Sequence, residues 1–287
     1  MEGEGQPGDA RLVYVYGVVP GGQTLPARSG VPLDGVPSAS LVGVVELVSA
    51  VEFAPEALDH NLHCADWVAP LARKHAAVLE DAMRHGPVVP ARLCTLFTGA
   101  GALARSLAED ERRLQGILEW LRGREELGLK LFCDEDRLRA SIAARDAGVQ
   151  TLEAAAASAS PGLAYALRKK RDRRVTEVAS GRLEEVAGEV LDALEPLAVD
   201  SRLRALLPET VTGRREAMVL NAALLVNAAS GAAVRAAAME LAPRLAGEGF
   251  AIEVTGPWPT YSFCGEDDGS CARREESACP RDRGSPR

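Results

Sequence analysis

The chain has 287 residues, 47% hydrophobic and 26% charged, with 33 Lys and Arg against 41 Asp and Glu for a formal net charge of -8. This length allows two ordinary domains, and the acidic balance argues against a general nucleic-acid binder, which needs a basic surface. Aromatic residues make up only 4%, so Ala, Leu and Val must fill the core, which favours closely packed helices.

Residues 1–10 are polar and acidic, without the basic and apolar regions of a signal peptide, and read as a disordered leader. Arg11 to Val19 is β-branched and aromatic and reads as a strand. A loop rich in Gly and Pro follows to about Pro37, and Ser40 to Val48 is the next strand, with Gly43 marking a bulge or close approach. Pro55 to Met83 is helical in two pieces. Trp67, Leu71, His75, Val78 and Ala82 share one face of the second. His85-Gly86-Pro87 ends that helix, with glycine at the C′ position. Val88 to Leu93 is a short strand, and Gly99 to Leu121 one long amphipathic helix with Leu103, Leu107, Leu114 and Leu118 inward. This order suits a small α/β sandwich with helices on one face of its sheet.

Leu127 to Cys133 opens a second unit as a strand, and Asp134 is a candidate N-cap for a helix to Gln150. Pro161-Gly162 starts a charged helical stretch to about Leu197, as one helix or two. Ser201 to Thr210 and Ala217 to Val226 read as two strands, Ala232 to Ala246 as a helix and Phe250 to Val254 as the last strand. The sequence β, long α, β, β, α, β is a ferredoxin-like order. The expected fold is therefore α+β: an N-terminal α/β sandwich over 11–124 and a C-terminal ferredoxin-like domain with an expanded helical part over 125–264. Residues 265–287, rich in charge, Gly, Ser and Pro, form a disordered tail. No run of about 18 apolar residues is uninterrupted; Met218 to Ala229 is broken by Asn221 and Asn227. No spanning segment is expected, and a cytoplasmic location is the default.

The least ordinary stretch is Ala251 to Phe263. It places Trp258, Tyr261 and Phe263 within six residues, between and after Pro257 and Pro259. Two prolines exclude helix and central strand, so the segment must be extended and lay its rings on a surface. The rings either pin the tail across the two domains or offer a contact surface to a partner.

Other candidate sites are weaker. Of six cysteines, none is spaced as a zinc or redox pair, and Cys64, Cys94 and Cys133 read as small buried residues. His60 and Cys64 are four apart and share a helix face with His63 beside them, as zinc ligands do. A metal-dependent enzyme is the alternative this triplet raises, but it lacks a fourth ligand. The plainer reading makes the three partly exposed helix residues, while His75 packs against the sheet as a structural residue. Arg92 is expected in a structural ion pair with Glu125 or Glu126. The run Arg168-Lys169-Lys170-Arg171-Asp172-Arg173-Arg174 wraps almost two helical turns. It is either a solvated face balanced by Glu177, Glu184 and Glu185, or a dock for an acidic partner surface whose binding salt would weaken. No phosphate-binding loop or nucleophile elbow is present.

Five segments, in order, resemble the gas vesicle GvpF/GvpL family. They are Leu12-Val13-Tyr14-Val15-Tyr16-Gly17-Val18, the stretch Val88 to Phe97 after His75, Glu125 to Leu131, Gly162 to Lys170, and Gly256-Pro257-Trp258-Pro259-Thr260-Tyr261-Ser262-Phe263. Leu93-Cys94 stands where the family often has Phe-Gly, and Leu127 where Trp or Tyr is common. The resemblance implies two α+β domains and a role in gas vesicle formation in the prokaryotic cytoplasm, as a minor structural protein or assembly factor. It implies partners, a hydrophobic GvpA-type shell protein and other accessory proteins, and neither catalysis nor a cofactor. The partner-binding candidates are Arg168, Lys169, Lys170, Trp258, Tyr261 and Phe263. A ferredoxin-like module binding a small ligand between its domains is the remaining alternative.

Overall fold

The computed structural model describes residues 11–25, 30 and 32–264. The expected leader, 1–10, and charged tail, 265–287, lie outside the described residues.

The first sheet is built from β1 (Arg11–Pro20), β2 (Asp34–Ser38) and β3 (Leu41–Ser49), antiparallel in the order β2-β3-β1. Three helices follow: α1 (Ala50–Phe53), α2 (Pro55–Leu62) and α3 (Ala65–Met83). Two-residue strands β4 (Val89–Pro90) and β5 (Leu96–Phe97) then pair with β1, before α4 (Ala100–Glu109) and α5 (Glu111–Leu121).

Helices cover both faces of this sheet, not the single face expected. Val13, Val15 and Val18 pack with Leu103, Leu107, Leu114 and Leu118 of α4 and α5. Tyr14, Tyr16 and Val19 pack with Phe53, Val78, Leu79 and Ala82 on the α1–α3 side. A strand buried on both faces must be apolar throughout rather than alternating, and Val13 through Val19 are buried without a break.

Three boundaries also differ. β2 lies inside the expected loop; only its Val36 is buried, and Pro37 is tolerated because the strand is an edge. The expected helix over 99–121 divides at Asp110, whose φ of -96° and ψ of 6° are not helical. The expected strand Val88 to Leu93 shrinks to Val89–Pro90, because the chain turns at Cys94, where φ is +62°. That left-handed conformation strains a side chain with a Cβ, and Cys94 is the position where the resembled family often has glycine. Cys94→Gly is expected to be at least as stable as the wild type, by up to about 1 kcal/mol, whereas Cys94→Val loses roughly 2 kcal/mol; urea unfolding measures both.

The second half runs β6 (Arg124–Cys133), α6 (Glu135–Arg145), α7 (Ala147–Ala157), α8 (Pro161–Leu194), β7 (Asp200–Leu203), α9 (Glu209–Thr212), β8 (Ala217–Asn227), α10 (Gly231–Ala246) and β9 (Phe250–Trp258). Its sheet is antiparallel in the order β7-β8-β6-β9, the ferredoxin-like arrangement. Asp134 caps α6 as expected, its side chain accepting from the Arg137 N–H at 3.0 Å. The long charged stretch is one 34-residue helix. The expected strand over 201–210 is confined to Asp200–Leu203; Pro208 lacks a donor for a sheet ladder and starts α9 instead. Leu127, Leu129 and Leu131 of β6 point to one face, against Val186, Val190 and Leu194 of α8 and Val234 and Leu245 of α10.

Both edges of this sheet are blunted, which guards against strand addition by another chain. On β9, Arg235 of α10 donates to the Val254 and Gly256 carbonyls at 2.9 and 2.7 Å. On β7, the Asp200 carboxylate accepts the Ser201 N–H at 2.9 Å. Among the described residues no helix is long and apolar enough to cross a membrane.

Candidate functional site

The aromatic ending forms a strap between the two sheets. β9 runs through Gly256 and Pro257 to Trp258 on the sheet edge, where prolines are permitted. Gly256 has φ +104°, and a Cβ there would sit 2.8 Å from the Glu126 carbonyl oxygen, so only glycine fits. The Trp258 indole N–H donates to Thr255 Oγ1 at 2.9 Å, beside Gly128, while 44% of the residue stays exposed.

From Pro259 the chain crosses to the first sheet and back. Thr260 is buried and its hydroxyl donates to the Val88 carbonyl at 3.4 Å. The Tyr261 hydroxyl donates to the Ala91 carbonyl at 3.1 Å and lies 3.1 Å from His75 Nε2. Ser262 returns to the second sheet, giving Glu126 two hydrogen bonds, from its N–H at 3.1 Å and its hydroxyl at 3.0 Å. Phe263 is buried against Leu121, Ala223 and Leu225, with the Arg202 guanidinium over its ring at 5.3 Å.

Two buried polar groups anchor the strap. His75 on α3 is 3% exposed. Its Nε2 lies 3.1 Å from the Ala91 carbonyl, which can only accept, so Nε2 carries the proton. Nδ1 then accepts from the Tyr14 hydroxyl at 2.8 Å, and that oxygen accepts the Cys94 N–H at 3.4 Å. The network is closed around a neutral imidazole, and burial holds the His75 pKa below its usual value. Burial likewise raises the Tyr14 hydroxyl and pushes that of Tyr261 up to about 12. Tyr261→Phe, which removes the strap's donor to Ala91, is expected to cost about 1 kcal/mol in urea unfolding.

Glu126 on β6 is 1% exposed and accepts from Arg204 and from both Ser262 donors. Burial outweighs the Arg204 guanidinium and Ser262, so its pKa lies above the ordinary carboxylate range. The strap borders an open cleft of about 1020 Å³ between the sheets, whose walls include Arg84, Arg122, Arg124, Glu125, Pro257 and Trp258.

The other expected sites are scattered or different. Arg92 is exposed and forms no ion pair among the described residues; Glu126, one expected partner, is held by Arg204 instead. The shared helix face of His60 and Cys64 does not exist, because α2 ends at Leu62, His63 is its C-cap and Cys64 is the N-cap of α3. His63 Nδ1 is 2.7 Å from the Asp59 carbonyl, and Cys64 is exposed rather than buried. Among the described residues no group of three or more His, Cys, Asp or Glu side chains is placed to hold a metal ion. Phe263 is interior and offers no contact surface, whereas Trp258 and Tyr261 remain partly open. Arg168, Lys169 and Lys170 stand exposed on α8. Sequence reasoning missed the Glu126–Arg204–Ser262 group; a carboxylate directly preceding the apolar Leu127 within β6 was the available signal.

The chain matches the family model for gas vesicle synthesis protein GvpL/GvpF over residues 12–265. It is 30% identical over 195 residues to gas vesicle protein L2 of Halobacterium salinarum, spanning 66% of this chain and 68% of that protein. It is 28% identical over 260 residues to gas vesicle protein L of a Streptomyces species, spanning 89% of this chain and 93% of that one. Its fold is similar to the crystal structures of gas vesicle protein GvpF from an Anabaena species, with TM-score 0.64 and 16% identity, and from Microcystis aeruginosa, with TM-score 0.58 and 15% identity. Each comparison covers 89% of this chain and 99% of the solved one.

Proposed function

Because the chain belongs to the gas vesicle GvpL/GvpF family, we propose that it binds the hydrophobic GvpA-type shell protein, together with other accessory proteins, while a vesicle nucleates. It acts by binding and not by catalysis. The observation that carries this reading is the extent of the family match, which takes in both sheets and the strap. We further take 11–124 and 125–264 as two domains that the strap holds as one body.

The physical task is to keep an apolar subunit from aggregating before it joins the wall. A rigid body suits it, since preorganisation lowers the entropy lost on binding. Exposed apolar side chains supply contact area: Leu203 at the end of β7, Leu206 on the connection and Val211 in α9 are 70%, 55% and 64% exposed. Trp258 and Tyr261 add partly open rings on the strap. Deleting the gene in a vesicle-forming host tests the role. The expected result is a loss of vesicles under the electron microscope, restored by the gene in trans; normal vesicle numbers in the deletion strain would refute it.

A further inference from the structure

The basic run of α8 divides into two groups with different fates. Arg171 and Arg174 are turned to α7: Arg171 pairs with Glu153 at 3.4 Å, and Arg174 with Asp146, the N-cap of α7, at 2.6 Å. Arg171 also binds its neighbour Asp172. These two cations stitch one helix to the next. Arg168, Lys169, Lys170 and Arg173 are exposed and form no ion pair among the described residues. Of the acids expected to balance the run, Glu185 instead pairs with Arg182 at 2.8 Å, further down the helix.

The geometry collects three of these four cations, Lys169, Lys170 and Arg173, on one side, while Arg168 follows buried Ala164 at a step of four. Tyr165, Lys169 and Arg173 follow each other at steps of four, with Lys170 alongside, while Ala164 is buried and Leu167, Arg171 and Val175 are half-buried on the inner side. Lys169 with Arg173 and Lys170 with Arg173 are like-charge pairs at helical contact spacing, which weaken a helix. Tyr165 is 70% exposed and Leu163 55% exposed at the start of the same helix. Glu177, a further step of four beyond Arg173, is the acid at helical contact spacing on this strip. Among the described residues it forms no ion pair with Lys169, Lys170 or Arg173, and these three stand beside the open Tyr165 ring.

We propose that this face of α8, Tyr165 with Lys169, Lys170 and Arg173, docks an acidic segment of a partner protein that carries an apolar residue for the Tyr165 end. The inference rests on the binding role given above and names the surface for it. Charge complementarity sets the partner's sign, and the tyrosine sets its amphipathic character. A nucleic acid fits less well: the patch is short, and the whole chain carries a net charge of -8, which repels a long polyanion.

The test compares the full chain with Lys169→Glu/Lys170→Glu/Arg173→Glu and with the milder Lys169→Ala/Lys170→Ala/Arg173→Ala, which keeps the measurement possible if charge reversal misfolds. Each is titrated with the purified shell protein and with each accessory protein of the same gas vesicle set. The inference expects a partner whose affinity for the wild type falls about tenfold between low and high salt, and falls at least about tenfold in the variants at unchanged thermal midpoint. Equal binding by wild type and variants overturns the docking surface and leaves the binding role standing. Binding of no partner by the wild type overturns the binding role itself, and the surface with it. Variant-sensitive binding of a random-sequence 20-nucleotide RNA or of anionic lipid vesicles, with protein partners unaffected, also overturns it.

Discussion

His75→Ala is expected to destabilise the protein by about 3 kcal/mol, through the lost ring packing and the buried Tyr14 hydroxyl left without its acceptor. The effect is large because the imidazole joins three pieces of chain. It receives the Tyr14 hydroxyl of β1, donates to the Ala91 carbonyl after β4, and lies beside Tyr261 of the strap. It also packs against the rings of Tyr14 and Tyr16, with centroids 5.7 and 5.2 Å away. The residue carries a pH dependence of definite sign. Burial lowers its folded-state pKa below the ordinary 6.5, so the unfolded chain binds the proton more readily. The stability His75 contributes is present above about pH 6.5 and is lost as pH falls toward the lowered folded value. In urea unfolding, the gap between wild type and His75→Ala is expected to narrow from about pH 7.5 to about pH 5.5. A gap independent of pH would show that the histidine is not buried neutral.

Glu126→Ala is the second large effect, about 3 kcal/mol, because it removes the acceptor of Arg204 and of both Ser262 donors and leaves a polar void. Arg204 is 39% exposed in its side chain and recovers water, but the Ser262 N–H is drawn inward with the strap. The pH dependence runs opposite to that of His75. The folded-state pKa is raised above the ordinary 4.5, first by burial. Its contribution is therefore full below about pH 4.5 and declines as pH rises through the raised value. Glu126→Gln keeps the shape and cannot ionise. The stability of Glu126→Gln relative to wild type is expected to rise between about pH 4 and about pH 7. A difference that falls with pH over that range would mean that Arg204 outweighs burial.

The two residues differ in how far the amino-acid string announces them. His75 is legible: it falls on the apolar face of α3 at a step of four from Leu71, where a histidine must find partners inside. Glu126 is not, since Arg204 lies 78 residues away and Ser262 136 residues away, and no local pattern links them. The same contrast runs through the fold. β1 reads as a strand from its β-branched and aromatic residues, and its lack of alternation is the sign that both faces are covered. β2 is hidden because Asp34-Gly35-Val36-Pro37 carries turn residues, and only pairing with β3 makes it a strand. The break at Asp110 is masked by the charges from Glu109 to Arg113, which suit the outer face of an unbroken helix equally well. The ferredoxin-like order is legible because β6, β8 and β9 carry apolar runs; β7, Asp200-Ser201-Arg202-Leu203, has no buried residue and is a strand only through its pairing with β8. The expected extended segment holds only as far as Trp258 at the end of β9. Beyond Pro259 the chain closes as a single 3-10 turn over Tyr261–Phe263 instead of staying extended, and which ring turns inward was decided by Ala223 and Leu225 of β8 and Leu121 of α5, far away in sequence.

The central claim, that this protein binds the vesicle shell protein, is tested most directly by pull-down of the GvpA-type shell protein co-expressed from the same host, with tagged full-length chain as bait and a folded unrelated protein of similar charge as control. The expected result is retention of the shell protein by the bait alone. Equal recovery from bait and control, with the bait folded, would contradict it.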